Sequence, residues 1–173
     1  MLNFRTINII AILILTVGTI TAQPVSKPFN IWTNTGCKAK VTLTPYLAKG
    51  GGNAACIVCP GGSYFWHDKK TEGIGVAKWL QENGISAFVL EYRVAPSKAP
   101  AQPSDAQRAM RLARKLCMER GIERLGIMGF SAGGHLAATL SVRYDYPLYP
   151  PQDAVDAFSA RPDFTVLCYS VID

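Results

Sequence analysis

Residues 125–137 of the chain read LGIMGFSAGGHLA, an apolar run followed at once by small residues. The apolar run Leu125–Phe130 predicts a buried strand, and residues 132–142 predict a helix of small residues. Between them Gly129 and Gly133 flank Ser131 in the pattern G-x-S-x-G. Such a turn is too tight for side chains at the two glycine positions, and it lifts the serine hydroxyl clear of the sheet at the N-terminus of the new helix. This segment therefore predicts an exposed serine nucleophile on a strand-turn-helix unit.

The rest of the sequence alternates between strand and helix patterns. A helical pattern begins at Val76 and stops at Asn83-Gly84, and Ser104 and Gln107 have capping-box spacing at the start of another. The segment 93–103, rich in Pro, Ala and Ser, predicts a loop. The remaining predicted strands are residues 40–47, 54–59, 85–90 and 166–170. Apolar strands that alternate with helices predict an α/β fold, with a mainly parallel sheet covered on both faces.

Composition indicates one globular domain. The chain has 173 residues, a formal charge of +6, 49% hydrophobic and 17% charged residues, which excludes disordered and collagen-like classes. The densest cationic cluster is Arg108, Arg111 and Lys115, at helical spacing opposite an apolar stripe. This pattern is typical of a solvated helix face, so we expect no nucleic-acid partner.

The N-terminal residues 1–22 have the pattern of a secretory signal peptide. Arg5 precedes an apolar run, Ile7–Ile20, and Ala22 stands at a plausible cleavage point. The alternative, a membrane anchor, would need about 20 consecutive apolar residues, and polar residues interrupt this run. We therefore expect a secreted or periplasmic protein without stable membrane association, with residues 23–39 as a lead-in and residues 40–173 as the α/β domain.

The chain has five cysteines, an odd number for an exported protein, so at least one is expected to stay unpaired within the chain. Cys56 and Cys59 have CxxC spacing. They lie in an apolar run that predicts a core strand, whereas redox CxxC motifs lie at a helix N-terminus. No second CxxC is present to complete a zinc site, and no ligand set converges, so neither metal nor organic cofactor is implied.

A glycine pair follows the predicted strand 54–59 and is the candidate oxyanion loop. Ester hydrolysis at a serine needs amide donors for the charge that develops on the carbonyl oxygen. The N–H of Ala132, directly after Ser131, is expected to supply one donor. Gly62 is the first candidate for the other, assisted by Gly61 or Ser63, because glycine lets the backbone approach the substrate closely.

Several segments together resemble one family. These are Gly61-Gly62-Ser63-Tyr64, Glu91-Tyr92-Arg93, Asp105-Ala106-Gln107-Arg108, Arg161-Pro162-Asp163-Phe164 and above all residues 126–137. They look like the α/β-hydrolase esterases of the acetyl-xylan esterase and feruloyl-esterase-like group. The resemblance runs from about residue 40 to the end of the chain. It implies hydrolysis of acyl esters, acetyl esters in particular, of carbohydrate through an acyl-enzyme on Ser131. Many lipase-like relatives carry His-Gly-Gly-Gly where this chain has residues 60–63, Pro-Gly-Gly-Ser.

The general base and its carboxylate are not found in the expected order Ser, Asp or Glu, then His. His67 precedes Ser131 and is read as a solvent-facing loop residue or, alternatively, as lining a substrate pocket. His135, one helical turn after Ser131, is read as structural. Asp173 is a weak candidate for the acid. The chain thus looks like the N-terminal part of an esterase, with 166–170 as an exposed edge strand, and we expect little turnover from it alone.

Two other functions are compatible with the sequence. A serine peptidase of the prolyl-oligopeptidase type shares the elbow and the sheet, although no propeller precedes the hydrolase segment here. A non-catalytic binding module could retain the same fold. The sequence does not identify the sugar or the oligomeric state.

Overall fold

The computed structural model describes residues 27–172, so the predicted signal segment 1–22 lies outside the described residues. The strands are β1 Phe29–Asn30, β2 Thr42–Tyr46, β3 Ala54–Cys59, β4 Ser86–Glu91, β5 Arg124–Phe130 and β6 Thr165–Cys168. The α-helices are α1 Val76–Glu82, α2 Ala101–Met118 and α3 Ala132–Arg143. A π-helical segment, Lys69–Gly75, leads into α1, and a 3-10 turn, Ala154–Ala157, precedes β6. Across residues 27–172, every helix is too short or too polar to cross a bilayer.

The six strands form one sheet in the order β1-β2-β4-β3-β5-β6. Strands β4, β3, β5 and β6 are parallel, whereas β1 and β2 are antiparallel to their neighbours. The predicted mainly parallel sheet is confirmed. Cys59 pairs with Gly129, and Phe130 pairs with Cys168, so three strands end at the same level. The loops that follow β3, β5 and β6 therefore leave the sheet side by side.

Helices cover both faces of this sheet, as the apolar strands predict. On β3, Ile57 packs into the cluster that holds α2 and α3, while Val58 packs on the opposite face with Ala77 and Leu80 of α1. Successive strand side chains point to opposite faces, so a strand that is apolar at every position needs cover on both. The helix α1 ends at Asn83-Gly84 as predicted, with Gly84 at φ +79°.

Part of the predicted lead-in 23–39 belongs to the folded core. Phe29–Asn30 pairs with β2, and Ile31 and Trp32 are almost fully buried. The Trp32 indole donates a hydrogen bond of 2.8 Å to Asp105 on α2. A two-residue strand shows no periodicity, so sequence patterning could not detect it.

The start of α2 differs from the prediction. The helix begins at Ala101 rather than after Ser104, and the Ser104 hydroxyl donates to the carbonyl of Pro100 at 2.6 Å. Ser104 is therefore a residue of the first turn and not an N-cap. Pro103 is tolerated there because the first-turn N–H groups have no helical partner.

The expectation of a solvated cationic face on α2 is wrong for Arg108. Its side chain is 1% exposed and donates to Asp153 at 2.6 Å, to Asp156 at 3.0 Å and to the carbonyl of Ile31 at 3.1 Å. Arg111 is partly buried and donates to Tyr149 at 2.7 Å, whereas Lys115 is exposed as expected. The carboxylates come from a segment about 45 residues later, which helical periodicity cannot reveal.

Candidate active site at the carboxyl edge of the sheet

Ser131 lies at a sharp turn between β5 and α3. Its backbone has φ 49° and ψ −117°, a conformation that side-chain-bearing residues rarely adopt. Its N–H donates to the carbonyl of Cys168, at the end of the paired strand, at 3.0 Å. Within residues 27–172 the Ser131 hydroxyl makes no hydrogen bond to another side chain, so it is free to meet a substrate.

The two flanking glycines are required by close backbone contacts. A Cβ on Gly129 would collide with the Gly133 carbonyl, and one on Gly133 would lie 2.6 Å from the carbonyl oxygen of Pro60 and nearer still to that of Cys59. Gly134 likewise leaves no room, because its Cβ would meet the Ser170 hydroxyl. The glycines thus allow α3 to start directly against the end of β3.

The glycine loop after β3 lies against this turn. A Cβ on Gly61 would be 3.2 Å from the Cβ of Ser131. The next residues have positive φ values: Gly62 at 139°, Ser63 at 52° and Tyr64 at 61°. The structure therefore brings the predicted oxyanion loop and the predicted nucleophile together.

The backbone N–H groups of this loop and of Ala132 are not equally free to bind an oxyanion. The N–H groups of Gly62, Ser63 and Ala132 make no backbone hydrogen bond within the described residues. The Gly61 N–H, by contrast, donates to the Glu72 carboxylate at 2.6 Å. Gly61 therefore cannot assist as an oxyanion donor, and that alternative in the sequence prediction is wrong.

His135 lies one turn along α3 from Ser131, and its main-chain N–H donates to the Ser131 carbonyl at 3.0 Å. Its ring Nδ1 is hydrogen-bonded to the Tyr64 hydroxyl at 2.7 Å. Burial raises the pKa of Tyr64 to about 12, so the phenol stays protonated at neutral pH. His135 thus ties α3 to the glycine loop, in line with a structural role.

His67 is not the solvent-facing loop residue that the sequence favoured. Its ring packs edge-on against Tyr92 at 4.5 Å between centroids, and its Nε2 is buried with no hydrogen-bond partner. Burial lowers the pKa of His67. The charge of the neighbouring Lys69 lowers this pKa further, whereas the charge of Glu91 raises it. The loop folds back over β4 because its own carbonyls at Gly61 and Gly62 accept bonds from residues 65–68.

Asp173, the weak candidate for the catalytic acid, lies outside the described residues. The carboxylate that the structure does place beside Ser131 is Glu72, from the π-helical segment. It accepts from the Gly61 N–H and from the Tyr169 hydroxyl. No motif marks Glu72 or Tyr169 in the sequence, since the two residues are 97 positions apart.

A cavity of about 740 Å³ opens on the far side of Tyr64 and His135. Its lining is mostly apolar, and its polar side chains are Tyr64, Lys98, Gln102, His135, Thr139 and Arg143. Ser131 does not line this cavity, which adjoins the turn through Tyr64 and His135.

The cysteine thiols take no part in the site. Cys56 and Cys59 lie on β3 and are buried, as the core-strand interpretation predicted. Burial raises the pKa of the Cys56 thiol to about 12, which leaves it protonated and unreactive. All five cysteines are unpaired.

The geometry of the turn, the glycine loop and the parallel sheet define the class of this protein as an α/β hydrolase. A similar solved structure is MGS-M1, an α/β-hydrolase enzyme from a Medee basin deep-sea metagenome library, with 26% identity and a TM-score of 0.66. The match covers 87% of this chain and 58% of that one.

The family follows from a second comparison. Residues 45–162 match the BD-FAE family model, and the chain belongs to that family. The acetyl ester-xyloside bifunctional hydrolase from Caldicellulosiruptor lactoaceticus is 39% identical, with a TM-score of 0.76, over 86% of this chain and 58% of that one. An acetylxylan esterase of Xylanibacter ruminicola is 30% identical over 77% of this chain. The chain spans only 26% of the length of that curated relative.

Proposed function

We propose that this chain carries the nucleophile and oxyanion hole of a serine hydrolase that cleaves acyl esters of carbohydrate, acetyl esters in particular. The observation that carries the proposal is the strained, unpartnered Ser131 beside the unpaired amides of Gly62, Ser63 and Ala132. The names of the relatives, an acetylxylan esterase and an acetyl ester-xyloside hydrolase, support the acyl group and the carbohydrate class.

In the proposed reaction the Ser131 hydroxyl attacks the ester carbonyl carbon, and the carbonyl oxygen takes up negative charge. The Ala132 N–H, at the start of α3, and the Gly62 N–H donate to that oxygen, with Ser63 assisting. Preorganised donors of this kind are worth roughly 3–4 kcal/mol each in the transition state. The alcohol leaves, an acyl-Ser131 forms, and water then releases the acid.

The proton from Ser131 requires a base, and within residues 27–172 neither histidine is hydrogen-bonded to the hydroxyl. We propose that the base and its carboxylate come from outside these residues, with Asp173 as the candidate acid. On this proposal the isolated chain has little turnover, because an oxyanion hole alone gives only a residual rate.

The test is covalent labelling of Ser131. Because no base lies beside Ser131 within residues 27–172, paraoxon should phosphorylate the wild-type chain at Ser131 slowly, over a long incubation followed by peptide mass spectrometry. Any residual p-nitrophenyl acetate hydrolysis should fall to background in Ser131→Ala. Ser159→Ala, a surface serine that accepts only from the Arg161 N–H, is the matched control and should behave like wild type. Equal hydrolysis in Ser131→Ala, or labelling at another residue only, would reject the nucleophile.

We also propose export, to the periplasm or the medium, on the strength of residues 1–22. N-terminal sequencing of the exported protein is expected to begin at Gln23. A start at Met1 would instead favour a retained anchor.

A further inference from the structure

Glu72 makes two hydrogen bonds that connect the segments on either side of the nucleophile. Its Oε2 accepts from the Gly61 N–H at 2.6 Å. Its Oε1 accepts from the Tyr169 hydroxyl at 2.5 Å. From these contacts we infer that Glu72 is a positioning residue of the esterase site, and this inference rests on the function proposed above.

The first contact places the carboxylate close to the reaction centre. A Cβ on Gly61 would lie 2.9 Å from Glu72 Oε2 and 3.2 Å from Ser131 Cβ. Gly61 therefore lies between the Glu72 carboxylate and Ser131. A larger residue at 61 would push the loop away from Ser131, and loss of the carboxylate would leave the loop held more weakly.

Gly61 is held on both of its backbone groups. Its carbonyl accepts from the Asp68 N–H at 3.0 Å, while its N–H is the one that Glu72 accepts. The preceding carbonyl, that of Pro60, accepts from the Tyr92 hydroxyl at 2.6 Å. With Gly61 fixed in this way, the unpaired N–H groups that follow, on Gly62 and Ser63, have a defined direction.

The second contact anchors the carboxylate to the segment that holds the serine. Tyr169 directly follows Cys168, whose carbonyl accepts the Ser131 N–H at 3.0 Å. The hydrogen bond to Glu72 raises the pKa of Tyr169 to about 12, so its hydroxyl remains a donor at neutral pH. Glu72 therefore couples the oxyanion loop to the backbone that orients the nucleophile.

Two further features indicate that this local structure serves the site. Glu72 lies in a π-helical segment, and such segments recur at functional sites. Its partner Tyr169, and Ser63 and Tyr64 shortly after its other partner Gly61, have positive φ values that side-chain-bearing residues rarely adopt. An oxyanion hole works only when its donors meet the developing charge at hydrogen-bond distance, so a flexible glycine loop needs such a restraint.

The experiment compares Glu72→Ala, Glu72→Gln and the control Glu82→Ala, an exposed glutamate on α1. Paraoxon labelling of Ser131 should slow by about 100-fold in Glu72→Ala, the cost of misplacing catalytic groups by about 1 Å. Glu72→Gln keeps an oxygen that can accept the Gly61 N–H, so it should recover most of the rate. Glu82→Ala should match wild type.

A second measurement needs no reaction. Hydrogen exchange of the hydrogen-bonded amides of this loop, those of Gly61, Phe65 and Trp66, should accelerate about tenfold or more in Glu72→Ala, and not in Glu82→Ala. Unchanged exchange would overturn the inference, as would labelling in Glu72→Ala within about threefold of wild type. A Glu72→Gln variant as slow as Glu72→Ala, with an equally lowered Tm, would assign Glu72 a role in stability only. Labelling that persists in Ser131→Ala would instead refute the proposed nucleophile.

Discussion

At the scale of single residues, backbone strain is concentrated around one point. The non-glycine residues with positive φ within the described part of the chain are Asn34, Ser63, Tyr64, Ser131 and Tyr169. All of them except Asn34 lie in the elbow or in the segments that contact it. Each such residue costs about 1–3 kcal/mol and persists only where its surroundings enforce it. This concentration of strain is the residue-level evidence that the turn is a functional site.

The glycine requirement at the elbow gives the first prediction for this scale. Gly133→Ala should destabilise the protein by about 2–3 kcal/mol, because the added Cβ would overlap the carbonyl oxygens of Cys59 and Pro60. The same shift should displace Ser131 and slow its labelling by paraoxon. Urea denaturation and labelling rates would measure the two effects.

The control for this prediction is Gly84→Ala at the end of α1. Gly84 has φ +79°, but a Cβ at this position would meet no atom within 4 Å. The substitution should cost only the left-handed backbone strain, roughly 1 kcal/mol, and leave labelling unchanged. A Gly133→Ala variant no less stable than Gly84→Ala would contradict the collision.

At the scale of elements, a buried ionic cluster fixes α2 to its neighbours. Arg108 bonds to Asp153 and Asp156 beside the 3-10 turn and to the carbonyl of Ile31 near β1. These hydrogen bonds hold the pKa of Asp153 below its usual value. Three segments distant in sequence, α2, the 3-10 turn and the chain after β1, are therefore held together through one guanidinium.

Removal of that guanidinium is the element-scale prediction. Arg108→Met should cost about 3 kcal/mol in the free energy of unfolding, because the buried Asp156 would lose its cationic partner at 3.0 Å and keep only the more distant Arg111, at 3.5 Å. Lys115→Ala, seven residues along the same helix and exposed, should change it by less than about 0.5 kcal/mol. Equal effects of the two substitutions would refute the cluster's role.

The loss of stability in Arg108→Met should depend on pH, and the sign of this dependence follows from the pKa of Asp153. A carboxylate whose pKa is lowered by folding stabilises the folded state at pH values above its usual pKa of 3.8. That contribution is lost as the pH falls through the pKa of the folded state. The stability gap between wild type and Arg108→Met should therefore narrow below about pH 4. Denaturation midpoints at several pH values would show it.

At the scale of the whole molecule, the sheet ends at β6 within the described residues. This strand pairs only with β5 there, and its Leu167 and the residue after it, Tyr169, are 46% and 67% exposed. The solved relative from Caldicellulosiruptor lactoaceticus is longer, since the match covers 58% of its chain. An unpaired apolar edge is a template for pairing with another chain.

The corresponding prediction concerns self-association. The 173-residue chain should associate at raised concentration through β6, and Leu167→Lys should suppress this because a charge at an edge opposes strand pairing. Val142→Lys, at a position 76% exposed on α3, is the matched control and should leave the association unchanged. Sedimentation velocity across a concentration series would decide, and equal association of both variants would exclude the β6 edge.

Strands β2 to β6, the α-helices and the elbow are predictable because each depends on neighbouring residues, whereas the two-residue β1 is not. The G-x-S-x-G turn, the run 54–59 and the Asn83-Gly84 stop carry their signal within a few positions. The start of α2 was placed too late, because Ser104 fits a cap pattern whose geometry the chain does not adopt. Helical spacing likewise could not show that the Arg108 side of the helix meets two carboxylates.

The linear order of residues sufficed for the sheet class, for the serine at its turn and for the family resemblance, since these follow from periodicity and local sterics. Only the folded chain showed that Glu72 accepts the Gly61 N–H, that the Nε2 of His67 is buried and that Ile31 and Trp32 belong to the core. The physical reason is that burial and hydrogen-bond partners are set by contacts between distant segments, and those contacts exist only once the sheet has brought the ends of its strands to one edge.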